Sequence, residues 1–171
     1  MTGPVITQLA ATTVNRKWIL EVDTGTGSPT WTYVEGVTNF QPVTDDANWV
    51  DDSDFASGGF QSQTKTSAAW SATCTVRRAA QVDDPSAYGV GQEFLRTHAE
   101  GKFGPDNQVS VRFYEYDPEG GLRIQAYTGK CGVGWAEQGG EYNALSTVQV
   151  TLTGQGQLNT IDHPYPDDSS S

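Results

Sequence analysis

Basic residues, cysteine and long apolar runs are what this sequence has least of. Ten lysines and arginines stand against 21 aspartates and glutamates in 171 residues, a formal net charge of -11. Between Lys17 and Lys65 no basic residue occurs, while eight acidic ones do. A surface of that sign repels phosphate instead of gathering it, which argues against ordinary DNA or RNA binding and leaves a role in which nucleic acid slides past without sticking. Two cysteines, Cys74 and Cys131, are too few for a disulfide framework or a four-cysteine metal site. They read as reduced thiols at or near a core. No apolar run approaches the length of a bilayer span, and the opening "MTGPVITQLAATT" lacks the basic start and apolar centre of a signal peptide. The chain is expected to be made in the cytosol and not to insert in a membrane. The two histidines, His98 and His163, have no motif around them, and no nucleophile-elbow sequence is present. No catalysis is expected.

What is present favours strands. Threonine, valine, tyrosine and tryptophan are plentiful, and the length suits one domain with a real core. "KWILEVDT" alternates with Trp18, Leu20 and Val22 on one face, and "TWTYVEG" alternates through Trp31 and Tyr33, giving a hairpin. Trp70, Ala72, Cys74 and Val76 share a face, as do Val109, Val111 and Phe113, then Leu122, Ile124 and Ala126, then Val148, Val150 and Leu152. "GKCGVGWAEQGG" lacks the phosphate-loop and dinucleotide fingerprints and reads as a strand kinked by glycine. "DDPSAYGVGQEFLRTHAEGK" carries the helix signal: Asp84 caps, Pro85 fits the first turn and Gly101 ends it. The expected architecture is all-β with one flanking helix: a two-sheet β-sandwich or flattened barrel. Residues 1–16 read as an N-terminal arm, 17–158 as a single β-sandwich domain with a long loop at 44–59 and a helix at about 84–100, and 159–171 as a linker-like C-terminal tail.

The loop "TDDANWVDDSDFASGG" combines Asp45, Asp46, Asp51, Asp52 and Asp54 with Trp49, Val50 and Phe55. Its acids fail the EF-hand spacing, and nothing selects a glycosidase pair among them. Neither a metal nor a cofactor is expected. A loop this long in a compact domain is usually functional or disordered. The segment after it, with Gln61, Gln63, Lys65 and Ser67, is polar on both faces, so it projects as an edge or is completed by another chain. Trp31, Tyr33, Trp49, Tyr114, Tyr116 and Tyr127 also admit a carbohydrate-binding β-sandwich that stacks aromatics on sugar, although aromatics at alternate strand positions are more often core or interface.

The order of these features resembles the major tail tube proteins of long, non-contractile-tailed bacteriophages. The matching pieces are the hairpin with Trp31, Val34 and Gly36, the aspartate-rich loop ending "DFASGG", the polar-to-apolar strand, the "DDP" helix start and the closing "VQVTLTGQG", from about Lys17 to Leu158. The resemblance implies a virion protein, assembled in the host bacterial cytoplasm, whose subunits form hexameric rings that contribute strands to a ring-wide β-barrel and stack into a tube for DNA ejection. It implies that the 44–59 loop reaches the neighbouring ring, that Gln61, Gln63, Lys65 and Ser67 lie on a lumen or inter-subunit strand, and that a tape measure and a tail terminator are partners. Double-stranded DNA would pass without specific binding through an acidic lumen. The chain shows no additional immunoglobulin-like domain at its C-terminus, unlike some relatives. A related secretion or contractile device shares most of these implications.

Overall fold

The computed structural model describes residues 18–117 and 123–166. The expected arm, 1–16, lies outside the described residues, as do the "PEGG" turn, Leu122 and the last five residues. Seven strands follow in chain order: β1 (Trp18–Asp23), β2 (Trp31–Tyr33), β3 (Val37–Asp51), β4 (Gln63–Arg77), β5 (Gln108–Glu115), β6 (Ala126–Glu137) and β7 (Thr147–Thr160). One helix, α1 (Val90–Ala99), sits between β4 and β5.

All seven strands belong to one antiparallel sheet, ordered β2-β1-β5-β6-β7-β4-β3. The fold is therefore all-β with a flanking helix, but the two layers expected of a sandwich are limbs of a single sheet bent over its own core. Trp18, near one end of that order, stacks at 5.9 Å on Phe40 from the strand at the other end, and both pack on Phe113 from the middle. Period-two alternation reports which side of a strand is buried, and hydrogen bonding can continue around a bend without changing it. Leu20, Val22, Ala72, Cys74, Val76, Val109, Val111, Val148, Val150 and Leu152 fill the space between the limbs. Cys74 and Cys131 are buried and free, and burial pushes both thiols up to about 12.

The helix begins later than the sequence suggested. Asp84 accepts from the Ser86 amide at 3.0 Å and the Ser86 hydroxyl at 2.6 Å, closing a turn, and α1 starts at Val90 without a side-chain cap. The same carboxylate chemistry that caps helices also closes Asx turns, so the two read alike in sequence. Gly91 is explained by closeness: a Cβ there would stand 2.4 Å from the Tyr33 carbonyl oxygen. Leu95 enters the core, while Gln92 donates to the carbonyls of Glu35 and Arg77, tying the β2–β3 turn to the end of β4.

Three further expectations are corrected. Ile124 is exposed, because β6 begins only at Ala126. Residues 44–51 are not a loop but the outer half of β3. The start of the tail is not a free linker: β7 continues to Thr160, and His163 reaches the Glu115 carbonyl through Nε2 at 2.5 Å while its Nδ1 accepts from the Tyr165 amide at 3.0 Å. Tyr114 packs edge-on against His163 there.

Gly129 of β6 and Gly154 of β7 make a berth for Trp70. A Cβ on Gly154 would lie 2.5 Å from Trp70 Nε1, and one on Gly129 would lie 2.6 Å from its ring. Gly154→Ala should therefore lower stability by about 1–3 kcal/mol through overpacking, read as a lower denaturant midpoint. Gly139→Ala, with nothing within 4 Å of the added methyl, should leave the midpoint unchanged.

Candidate functional site

The most distinctive element is the hairpin of β3 and β4, each 15 residues long. β4 pairs with β7 only from Ser71 to Arg77, while its pairing with β3 runs on to Asp51 opposite Gln63. The outer half is thus a two-stranded ribbon carried beyond the sheet. Its root is Trp70, whose indole turns inward over Gly154 as β4 leaves β7. Opposite Trp70, β3 carries a bulge between Val43 and Asp46. A cleft of about 440 Å³ lies at this fork, lined by Thr44, Ala68, Ala69, Gly154 and Leu158 among others.

The ribbon offers apolar groups on both faces and at its tip. Trp49 and Val50 are successive strand residues, so they point to opposite sides, and each is about half exposed. Phe55 and Phe60 at the tip are 110% and 82% exposed. Phe60 was not among the residues singled out from sequence, where it reads as the first residue of the next strand. The repeat of phenylalanine on either side of Gly58-Gly59 is the signal that could have found it. Exposed aromatics grouped this way mark an interaction surface.

The aspartates do structural work within the ribbon. Asp54 caps a single 3-10 turn (Phe55–Ser57), accepting from the Ala56 amide at 2.9 Å while its own amide donates to Ser57 Oγ at 3.0 Å. Gly58, at φ 61°, ends that turn in the left-handed region. Asp51 accepts from the Ser53 amide at 2.8 Å, and Asp52 takes the Thr64 hydroxyl. Lys65 pairs with Asp45 at 2.7 Å on the face that carries Trp49. Among the described residues no cluster of three or more histidine, cysteine or carboxylate side chains could hold a metal ion.

Of the polar-strand residues, Gln61 lies in the tip, while Gln63 and Lys65 stand opposite Asp51 and Trp49. An extra residue, Thr66, is inserted before Ser67, which pairs with Asn48. Lys65 and Ser67 therefore fall on opposite faces, not on one as simple alternation implies. The unpaired outer edges of β3 and of residues 63–70 are both open to a further strand.

The six aromatics considered as a sugar platform are dispersed. Tyr114 is buried and donates to Glu21 at 3.2 Å. Trp31 lies under the Arg112 guanidinium at 4.8 Å, Tyr127 stacks on Phe113, and Tyr116 lies under Arg123. Tyr33 is about half exposed on β2, and Trp49 belongs to the ribbon. The histidines are likewise apart, His98 bonded to the Phe94 carbonyl within α1 at 2.8 Å and His163 in the docked tail.

No protein-family model and no curated protein matches the chain. Solved structures do. A chain from the tail of an empty gene transfer agent particle, determined with C6 symmetry, superposes with a TM-score of 0.59 at 14% identity, covering 88% of this chain and 100% of that one. A chain from the sheath/tube terminator of an extracellular contractile injection system gives 0.58 at 6% identity over 91% and 100%. One from the tube-terminating cap of an anti-feeding prophage gives 0.58 at 9% over 93% and 95%. At these identities the likeness is one of fold.

Hydrogen bonds hold the carboxyls of Asp51 and Asp52 below their ordinary value, chiefly those from Ser53 and Thr64 respectively. With the folded value depressed, the stabilisation is present above the ordinary carboxylate range, about 3.9, and is lost as pH falls through the folded value. Amide protection at residues 52–60 should be flat from pH 7 to about 5 and decline on further acidification, ahead of the core strands.

Proposed function

We propose that this protein is a structural, non-enzymatic subunit of a phage-like tail tube, assembling as stacked hexameric rings whose bore conducts double-stranded DNA during genome ejection. The observation that carries this reading is the ribbon: a rigid two-stranded projection with capped turns, open edges and exposed aromatics, on a scaffold that shares its fold with chains of tail and tube assemblies. An isolated hairpin is marginally stable in water, so one held out from its domain is best understood as docking on a neighbour.

The opposite end of the same strands supplies a counterpart. The 78–89 connection and the 138–146 turn are tied together there by the Arg78 amide and the Ser146 carbonyl at 2.9 Å, and they expose Val82, Tyr142 and Leu145. Different surfaces at the two ends give head-to-tail contact, which propagates along an axis, while side-by-side pairing of open strand edges closes each ring. In this reading Trp49, Val50, Phe55 and Phe60 dock on the adjacent ring, with Asp45, Asp46, Asp51, Asp52 and Asp54 stiffening the ribbon and rimming the contact. Gln63, Lys65 and Ser67 lie on the inter-subunit strand, with Gln61 beside it in the tip. The ring would join a ring-wide β-barrel, in a virion tail assembled in the host cytoplasm with a tape measure and a tail terminator as partners.

The likeness to tube-terminating chains supports a second reading, a terminator that forms one ring at the end of a tube. The two separate by electron microscopy of the purified protein: stacked tubes support the first reading, single rings the second, and monomers at high concentration exclude both. Trp49→Ala, Phe55→Ala and Phe60→Ala should leave the unfolding midpoint within about 0.5 kcal/mol of the parent, since surface positions tolerate change. Each should raise the concentration needed for stacking about tenfold, corresponding to about 1.4 kcal/mol per lost contact. Tubes of normal length and stability from these variants would sink the docking assignment.

A further inference from the structure

Cross-strand partners share a face of the sheet, so the core rows of the β6–β7–β4–β3 limb alternate with rows that face outward. Three outward rungs cross all four strands, through Gln149, Thr151 and Thr153 of β7. Their twelve positions hold serine, threonine, glutamine, asparagine, valine, alanine and glycine only. An ordinary soluble surface carries roughly a quarter to a third charged side chains, so about three or four would be expected here. The absence is marked in a chain with 21 acidic residues. None of those acids falls on the twelve positions; five lie on the ribbon and others in the 78–89 connection, on α1, on β1 and β5 and in the 138–146 turn. The charges that bound the neutral band are Arg77 on the rung beyond Gln149, Lys130 on the rung beyond Thr153, and Asp46, which stands opposite Ala69 on the rung beyond Val43 and Ser71. On β6 the band is made by Gly132, Gly134 and Ala136, so little projects from it. The face is solvated, and α1 packs at the other side of the sheet, where Leu95 joins the core.

A neutral hydroxyl and amide wall has a particular relation to a passing polyanion. Lysine and arginine bind phosphate by releasing counterions, adding about 0.9 to the logarithmic salt slope per contact. Carboxylates repel phosphate and draw in cations of their own. Hydroxyls and amides do neither, holding water that bridges to phosphate without a net charge to trap it. We infer that the outward face of β6, β7, β4 and β3 is the bore wall of the assembled tube, a neutral hydrated surface past which double-stranded DNA moves. This rests on the tube reading above, and it replaces the acidic lumen inferred from net charge.

The test uses assembled particles confirmed by electron microscopy, with Thr151→Cys added at the centre of the band; Cys74 and Cys131 are buried. Dispersed subunits should react at the new cysteine with both a small maleimide and one carrying a long polyethylene glycol chain. Assembled tubes should react with the small reagent and resist the large one. Tubes of Thr151→Lys, incubated with short duplex DNA, should retain it in nuclease-protected form and release it with a steep salt dependence, while parent tubes retain at least tenfold less. Equal reaction with the large reagent in tubes, or retained DNA that nuclease digests, would place this face outside and overturn the inference while leaving the tube intact. Failure of the parent protein to form rings or tubes would instead overturn the tube reading, and the bore assignment with it.

Discussion

The packing of the Trp70 side chain over Gly129 of β6 and Gly154 of β7 is the constraint on which the rest depends. Below it, β4 is an interior strand with Ala72, Cys74 and Val76 in the core and β7 along its edge. Above it, the same strand has only β3 for a partner and both faces in water. An indole of this size fits only because Gly129 and Gly154 have no side chain, so one aromatic residue and two distant glycines decide where the domain ends and the projection begins. The bulge in β3 opposite Trp70 absorbs the change of direction.

The acidity of the chain is distributed, not uniform. Carboxylates on the ribbon satisfy backbone and hydroxyl donors that a turn would otherwise expose, which stiffens the tip while keeping it soluble. Others serve α1, where Glu93 holds Arg78 and Arg96 at 2.8 and 2.7 Å. The three rungs through Gln149, Thr151 and Thr153 hold none. Net charge therefore predicts the sign of the whole protein but not of each of its faces.

The half-buried strands were legible in the sequence because Trp70–Val76, Val109–Phe113 and Val148–Leu152 alternate against a solvated face. The outer ribbon was not, because residues 44–51 and 63–69 are exposed on both sides and so leave no period; a strand without a buried face looks like a loop. The single bent sheet was hidden for the opposite reason, since continuous hydrogen bonding and separate layers produce the same alternation. Gly129 reads as a kink, although β6 is regular against β5, because the side chain that requires it, Trp70, lies 59 residues away in sequence. The residues of the tip were partly legible from composition: Trp49 and Phe55 stand out among aspartates, whereas Phe60 hides at the edge of a polar run.

In mechanical terms the ribbon is a cantilever. Six residues of β3 beyond the bulge, at about 3.3 Å each, place the end of the strand roughly 20 Å from the root, so a small sideways force there becomes a large torque at Trp70. The indole lies close over Gly129 and Gly154 with its ring nitrogen buried and unpartnered among the described residues, which anchors the root. The bulge, where Thr44 and Asp45 together face the one residue Trp70, is the place for bending. In the proposed stack, flexing at this joint would let neighbouring subunits tilt without shearing the core strands.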